Sequence, residues 1–292
     1  MKKTIYKFIN RLGYKIEKKR PKEYFFPELK KYNITENFEL LFNSKIFVKS
    51  LDAIYSNFAL QSHKDGFLVS FLDFNIYVES IEEFLILNEV FVTKDYNFIS
   101  NHKTTVIDIG ANIGISSLYF STLDCVDKIY AFEPIIDTFN QAQYNLELNK
   151  TRHKVIAIKN IGLGKSNRTE TVLFNKSSKG NTGVRGLLSP TYASNAQNEI
   201  RALKIVETSK EIEKIITTSV GQKIMIKMDC EGAEYEIFEN LSESNLLDKI
   251  DVLIIEWHDK GAKSIENTLL KFGFNVFSRD LGPISGIITA SK

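Results

Sequence analysis

The chain of 292 residues is poor in cysteine and proline and contains no long apolar run. Two cysteines, Cys125 and Cys230, are too few for a disulfide framework or a cysteine-rich zinc site, so the sequence predicts a reducing, cytoplasmic environment. Because no apolar run reaches membrane-spanning length and residues 1–20 lack a signal-peptide pattern, neither an integral membrane protein nor an exported protein is expected. With 43% hydrophobic residues, the chain is too apolar for a collagen-like or disordered protein.

Charge is unevenly distributed along the chain. Residues 1–20 contain eight lysines and arginines against one glutamate, whereas the other 272 residues contain 30 basic and 35 acidic groups. Because the main body is net acidic and has no Asn-Pro-Pro-Tyr-type block, no nucleic-acid partner is predicted. Apolar residues at helical spacing from Ile5 to Ile16 suit an amphipathic helix on an anionic membrane surface. The alternative is a solvated helix that docks on its own protein or on a partner.

The residue pattern divides the chain into a basic segment at 1–20, an accessory region at 21–100 and an α/β domain at 101–292. In the accessory region, strands at 67–72 and 74–78 precede a helix whose apolar face runs from Ile81 to Phe91. In the α/β domain, short Val- and Ile-rich runs alternate with helical stretches, which is typical of a mostly parallel sheet covered on both faces. We predict its strands at 106–109, 128–132, 155–158, 171–174, 202–206, 224–228, 252–256, 275–278 and 287–289. Functional residues are then expected just after the strands, where such sheets bind their ligands.

The first strand of the α/β domain ends in a glycine turn with the sequence Asp108-Ile-Gly110-Ala-Asn112-Ile-Gly114. Gly110 allows a tight turn and a close approach of the backbone, and Gly114 opens the following helix. The spacing differs from the G-x-G-x-x-G dinucleotide fingerprint, and a leading carboxylate would repel a pyrophosphate. The same carboxylate pairs well with an ammonium or a sulfonium. The turn therefore predicts S-adenosyl-L-methionine rather than NAD as the cofactor.

The next two strands each end in a residue that suits the rest of such a cofactor. Glu133 ends the second strand, where an acid in a βαβ unit holds a ribose diol. Asn160 follows the third strand and is expected at the adenine edge from its position alone.

Two later strands end in acids and a histidine. Asp229 and Glu231 follow one strand, and Glu256 and His258 end the next, so all four side chains could converge over the sheet. Convergent acids and an imidazole suggest a general base that deprotonates a substrate hydroxyl. They would equally suit a divalent metal that lowers the pKa of that hydroxyl. Since one nitrogen and several oxygens at these spacings are not diagnostic, no metal ligand is assigned.

Four blocks in this order, VIDIGANIG, AFEP, IKMDCEGAE and IIEWH, resemble the FkbM family of S-adenosylmethionine-dependent methyltransferases. The resemblance covers about residues 66–289 and implies the Rossmann-like seven-stranded sheet of class I methyltransferases, preceded here by a small accessory region. It also implies O-methyl transfer, often to sugars of glycans or to natural products. By the resemblance, the methionine end of the cofactor is held by Asp108, Gly110, Asn112 and Gly114 and the ribose by Glu133. The side chains facing the acceptor would be Asp229, Glu231 and His258.

The expected protein is thus an O-methyltransferase that acts on a hydroxyl of a sugar or glycan intermediate. An insertion at 175–201 has a glycine-rich core, SKGNTGVRG, whose Gly180, Gly183 and Gly186 could let it close over the acceptor. Its basic groups, Lys176, Lys179 and Arg185, could hold a phosphate or a uronate. A flexible solvated loop is the other interpretation. Two further alternatives are a nicotinamide-dependent oxidoreductase on the same sheet, which the missing fingerprint disfavours, and a non-catalytic scaffold.

Overall fold

A computed structural model describes residues 27–150, 155–176, 179–183 and 198–292. The segment 1–20, with its predicted amphipathic helix, lies outside the described residues. No helix in the described ranges has the length and apolar character needed to cross a membrane.

From residue 27 onward, the accessory region forms a small antiparallel sheet, one 3-10 helix and three α-helices. Its elements in chain order are a 3-10 helix at Pro27–Tyr32, α1 (Phe38–Asn43), α2 (Lys45–Ile54), β1 (Ala59–His63), β2 (Gly66–Phe71), β3 (Phe74–Val78) and α3 (Ile81–Phe91). The strands pair in the order β1-β2-β3. Helix α3 begins at a capping box, because the Ser80 hydroxyl accepts the N–H of Glu83 while the Glu83 carboxylate accepts the N–H of Glu79. This cap orients α3, which forms one wall of a cleft at the carboxyl ends of the main-sheet strands.

The main sheet has seven strands in the order β12-β13-β11-β10-β4-β5-β6. Its strands are β4 (Thr104–Ile109), β5 (Val126–Phe132), β6 (Val155–Lys159), β10 (Lys223–Met228), β11 (Val252–His258), β12 (Asn275–Gly282) and β13 (Ser285–Ser291). The strands β11, β10, β4, β5 and β6 are parallel to one another. β13 runs in the opposite direction to both of its neighbours, β11 and β12. The strand order reverses between β4 and β10, and open α/β sheets bind their ligands at such a reversal. The seven-stranded α/β sheet is confirmed.

Helices connect the strands of the main sheet and cover its faces. They are α4 (Ile115–Phe120), α5 (Ile136–Leu148), α6 (Thr208–Thr218), α7 (Glu234–Glu243) and α8 (Lys263–Lys271), with a 3-10 turn at Leu246–Lys249. Alternate residues of the strands face opposite sides, as in a parallel sheet buried on both faces. On β4, Val106 packs with the accessory region and Ile107 packs with the group that includes α7 and α8. The accessory region therefore shares a hydrophobic core with the main sheet.

Two predicted strands of the α/β domain belong to a separate sheet. Strand β8 (Arg168–Phe174) and strand β9 (Glu199–Glu207) pair antiparallel, and the short β7 (Gly162–Gly164) joins the other side of β9. The prediction of strands at 171–174 and 202–206 is correct, but their assignment to the main sheet is wrong. The two strands pair with each other and β9 also pairs with β7, so they form a separate sheet beside the main one.

Candidate active site

A cleft opens at the carboxyl ends of β4, β5, β10 and β11, where the strand order reverses. It encloses about 1350 Å³ of empty space, part of which is open to solvent. Its walls come from α3, from the turns that follow these strands, from β7 and β9, and from residues 179–183. Six carboxyl groups and two lysines of the described residues line it: Glu82, Glu89, Glu133, Asp229, Glu231, Glu256, Lys179 and Lys227. The excess of acids favours a positively charged ligand.

The glycine turn after β4 forms the floor of the cleft. Gly110 has a φ of +77°, and a Cβ atom there would lie 1.8 Å from the carbonyl oxygen of Asp229, so no other residue fits without moving the backbone. Asn112 also has a positive φ, and its N–H donates to Glu133 Oε2 at 3.0 Å. Its side-chain Oδ1 is buried and has no hydrogen-bond partner within the described ranges. This oxygen is therefore an acceptor available to a ligand in the cleft.

Glu133 lies at the carboxyl end of β5 and lines the cleft as predicted. The N–H groups of Ile135 and Asn112 donate to its two oxygens at 2.9 and 3.0 Å. Burial raises the pKa of Glu133 to about 8, although these two N–H groups act in the opposite direction. Each oxygen keeps a further lone pair, so a ribose hydroxyl could still be accepted.

Three predicted cofactor residues do not line the cleft. Gly114 caps the N-terminus of α4 and packs near Ala142 of α5. The amide of Asn160 donates to the carbonyl oxygens of Glu133 and Pro134 at 2.9 and 3.0 Å, so it holds the turn after β5. Asp108 is completely buried, and its Oδ2 accepts the hydroxyls of two serines in the first turn of α4. Their direct contact with a cofactor stays a prediction, while the structure assigns all three to the support of the cleft.

Lys227 is the cation that the sequence analysis left without a role. Its Nζ lies 3.4 Å from Asp108 Oδ1 and 3.8 Å from Asp229 Oδ2, and it donates to the carbonyl oxygen of Gly110 at 2.6 Å. Burial opposes the charged form, but the two carboxylates outweigh it and leave the pKa of Lys227 above its ordinary value. A lysine inside an otherwise apolar central strand was the signal for such a paired charge.

Three of the predicted acceptor-side residues, Asp229, Glu231 and Glu256, line the opposite wall of the cleft. The buried Tyr96, which follows α3, donates its hydroxyl to Asp229 Oδ2 at 2.9 Å and lies 3.5 Å from Glu256 Oε2. Burial, followed by repulsion from Asp229, raises the pKa of Glu256 to about 9. Burial likewise raises the pKa of the nearby Glu89 to about 7. These acids are brought together as predicted, and their charges are strongly coupled.

His258 ends β11 close to these acids but does not line the cleft. Its Nδ1 lies 3.0 Å from the buried Glu234 Oε1, and its Nε2 lies 3.6 Å from Glu231 Oε1. Burial alone would lower its pKa, but the bond to Glu234 and the surrounding carboxylates raise it to about 10. Glu234 also accepts the N–H groups of Cys230 and Gly232, so it shapes the whole turn after β10. The sequence analysis missed this role, for which the signal was an acid in the first turn of a helix.

Residues 179–183 of the insertion lie over the cleft. The Lys179 side chain is almost fully buried, and its Nζ contacts Glu79 at 2.6 Å, Glu83 at 3.0 Å and the Gln141 amide oxygen. Lys179 is therefore already neutralised and is not available to hold a phosphate or a uronate. Lys176 lies near the carboxylates of Asp65 and Glu79, and Arg185 lies outside the described residues. Gly183 passes so close to Glu231 that a Cβ atom would approach its Cβ to 2.3 Å. Lys179 thus fixes a glycine segment between the two walls.

Comparison with known proteins identifies the family. The family model described as the methyltransferase FkbM domain matches residues 108–276, more than half of the chain. The chain belongs to the FkbM methyltransferase family. It is 27% identical over 222 residues to Methyltransferase 1 of Beauveria bassiana, covering 68% of this chain and 84% of the relative. It is 26% identical over 221 residues to Methyltransferase sdnD of Sordaria araneosa, covering 68% and 85%.

Solved structures of methyltransferases resemble the chain more distantly. A methyltransferase FkbM from Methylobacillus flagellatus KT shares 16% identity with a TM-score of 0.45; the match covers 70% of this chain and only about half, 47%, of that chain. The M. capricolum TrmK structure, which contains S-adenosyl-homocysteine, shares 13% identity with a TM-score of 0.38; the match covers 68% of this chain and 66% of that one.

The cofactor of this FkbM methyltransferase is S-adenosylmethionine, and the cleft fits it. The fit rests on three features: the backbone approach that Gly110 permits, the unpartnered oxygen of Asn112 and the acid at Glu133. The apolar Leu163 and Ile205 of the small sheet supply a surface against which a purine ring can pack. Gly110, Asn112 and Glu133 are the residues that would hold S-adenosylmethionine.

Proposed function

We propose that this FkbM methyltransferase transfers a methyl group to a hydroxyl oxygen of a sugar or glycan intermediate. The observation that supports the proposal is the group of carboxyl side chains, Asp229, Glu231 and Glu256, that lines the same cleft as the glycine turn. Carboxyl oxygens accept hydrogen bonds whether or not the group is ionised, and a sugar presents several hydroxyl donors at once. A cluster of acids beside the cofactor site is therefore suited to orient a polyhydroxyl acceptor.

Asp229 is the side chain that we assign to accept the hydroxyl proton. It lines the cleft, and its Oδ2 already accepts a hydrogen bond from Tyr96. Glu256, whose pKa is raised to about 9, keeps its proton at neutral pH and therefore cannot take up the hydroxyl proton. His258, whose pKa is raised to about 10, is protonated too and does not line the cleft, so Asp229 replaces it as the proposed base.

The remaining catalytic contribution is orientation. When bound, S-adenosylmethionine supplies a methyl group on a positively charged sulfur, which becomes a neutral thioether as the methyl leaves. The acceptor oxygen forms the new bond to carbon while its proton passes to Asp229, so charge and atoms balance. Residues 179–183 cover the cleft and limit the access of water to it. We further propose that the reaction takes place in the cytoplasm, where the two free cysteines stay reduced.

Mass spectrometry and NMR of the reaction products test this function. The protein is incubated with S-adenosylmethionine and with matched hydroxyl, carboxyl and amine acceptors, and we expect methyl groups only on the hydroxyl acceptors. Asp229→Asn should lower turnover by about 10²–10⁴-fold while leaving the affinity for S-adenosylhomocysteine within threefold of wild type. Asp248→Asn, which changes an exposed aspartate away from the cleft, is the matched control and should leave turnover unchanged. Methylation of an amine, or full turnover by Asp229→Asn, would reject the proposal.

A further inference from the structure

We propose that Asp229, Glu231 and His258 form a binding site for one divalent metal ion of the manganese type at the acceptor wall of the cleft. Each of these residues offers one ligand atom, and the three atoms lie within 4.8 Å of one another. Ligand atoms that share an ion at about 2.1–2.2 Å are separated by about 3–4.4 Å. Small side-chain rotations would therefore bring all three onto one ion, and the ion would displace the proton that the surrounding carboxylates favour on the His258 ring.

The orientation of the His258 ring is the second, independent observation. The residue is only 4% exposed, and its Nδ1 is committed to Glu234 at 3.0 Å. Its Nε2 lies at ion-pair distance from two carboxylates, 3.6 Å from Glu231 Oε1 and 3.7 Å from Glu256 Oε1. The second ring nitrogen thus faces Glu231, with which it would share an ion. An imidazole whose other nitrogen is held by a carboxylate is the usual arrangement of a metal-binding histidine.

The backbone around these residues keeps the three ligands in place. Glu234 holds His258 and also accepts the N–H groups of Cys230 and Gly232 at 2.9 Å each, so one buried carboxylate orients two of the three ligands. Tyr96 uses Asp229 Oδ2, which leaves Oδ1 for an ion. Glu234 is a positioning residue that touches no ion itself.

The ligand chemistry selects the class of ion. Two carboxylate oxygens suit magnesium, calcium or manganese, whereas one imidazole nitrogen suits first-row transition metals. Manganese accepts both kinds of ligand and keeps open positions for hydroxyls of a bound molecule. An ion at this place would lower the pKa of an acceptor hydroxyl bound to it. That assistance rests on the proposed function, but the binding of the ion does not.

Titration of the full chain with Mn²⁺, followed by electron paramagnetic resonance of the free ion, tests the site. After removal of metal with a chelator, we expect one Mn²⁺ per chain, and a loss of affinity of at least tenfold in Glu231→Gln and in His258→Gln. Glu234→Gln should weaken binding by about 10–100-fold through the misoriented ring. The matched controls are Glu239→Gln on α7 and His102→Gln before β4, both exposed and both expected to bind as wild type.

Folding and the proposed function are monitored separately. Each variant is checked by its unfolding temperature and by calorimetry with S-adenosylhomocysteine, whose site lies on the other wall. If His258→Gln does not fold, Glu231→Gln, at the cleft surface, decides the question alone. Absence of a stoichiometric Mn²⁺ site, or equal Mn²⁺ affinity in the Glu231→Gln variant and wild type, would overturn the inference. Failure of methyl transfer with intact Mn²⁺ binding would reject only the proposed function.

Discussion

The two walls of the cleft are built on different physical principles. The cofactor wall, formed by the turns after β4 and β5, consists largely of backbone: Gly110 permits a close approach, and two N–H groups hold Glu133. The acceptor wall, formed by the turns after β10 and β11, consists of clustered carboxyl side chains, among which the pKa of Glu256 is strongly raised. The cofactor wall is therefore recognisable as a local motif, whereas the acceptor wall depends on tertiary convergence. Lys227 connects the two walls, because it contacts Asp108, Gly110 and Asp229.

Replacement of Lys227, which connects the two walls, is expected to have the largest effect on stability. Lys227→Met leaves Asp108 completely buried without its cation, and breaking a buried pair in this way costs about 3–5 kcal/mol in the free energy of unfolding. Lys223→Met, in the same strand, is the matched control: its pair with Asp251 is partly exposed, and the loss should stay below about 1 kcal/mol. Urea unfolding of both variants measures the difference. Equal losses would mean that Lys227 is not a structural link between the walls.

Gly110→Ala examines the close approach of the glycine turn to the end of β10. The new Cβ atom would collide with the carbonyl oxygen of Asp229 at a φ of +77°, so the ends of β4 and β10 must separate. We expect a loss of about 3 kcal/mol in stability together with a loss of S-adenosylhomocysteine affinity in calorimetry. Gly221→Ala has nearly the same φ, +76°, but nothing within 4 Å, and should cost only about 1 kcal/mol. Equal losses of stability in the two variants would show that the close approach of β4 and β10 at Gly110 does not contribute to stability.

How much of this could be read from the sequence differs between the walls. Gly110, Asn112 and Glu133 line the cleft as the motif indicated, since local turn geometry decides their place. Asp229, Glu231 and Glu256 converge as expected from their positions at strand ends. Three predicted polar residues, Asp108, Asn160 and His258, do not line the cleft. Each of them contacts a residue that is remote in sequence. The sequence could not show that Asp108 meets Lys227, or that His258 meets Glu234 and is protonated, because such contacts depend on packing.

The pH dependence of stability, compared between the wild type and Glu133→Gln, reports on Glu133 independently of the acids of the acceptor wall. Its pKa rises from 4.5 to about 8 on folding, so the folded protein holds a proton that the unfolded chain has released. The stabilisation is complete below about pH 4.5 and is lost as the pH rises to about 8, because the folded state then binds more protons than the unfolded state. As the pH rises across this range, we expect the unfolding free energy of the wild type to fall relative to that of Glu133→Gln. A difference that is independent of pH would show that Glu133 is ionised throughout.

The smallest expected effect concerns Asn160, which the sequence assigns to the cofactor and the structure assigns to the turn after β5. Asn160→Ala removes its bonds to the carbonyl oxygens of Glu133 and Pro134 and should lower stability by about 1–2 kcal/mol. Because the side chain does not line the cleft, S-adenosylhomocysteine affinity should change by less than about threefold. Asn167→Ala, which removes a single exposed bond to the N–H of Glu207, should cost below about 1 kcal/mol and leave the affinity unchanged. A large loss of affinity at unchanged stability in Asn160→Ala would instead support the predicted adenine contact, because support of a turn acts on both quantities whereas a contact with ligand acts on affinity alone.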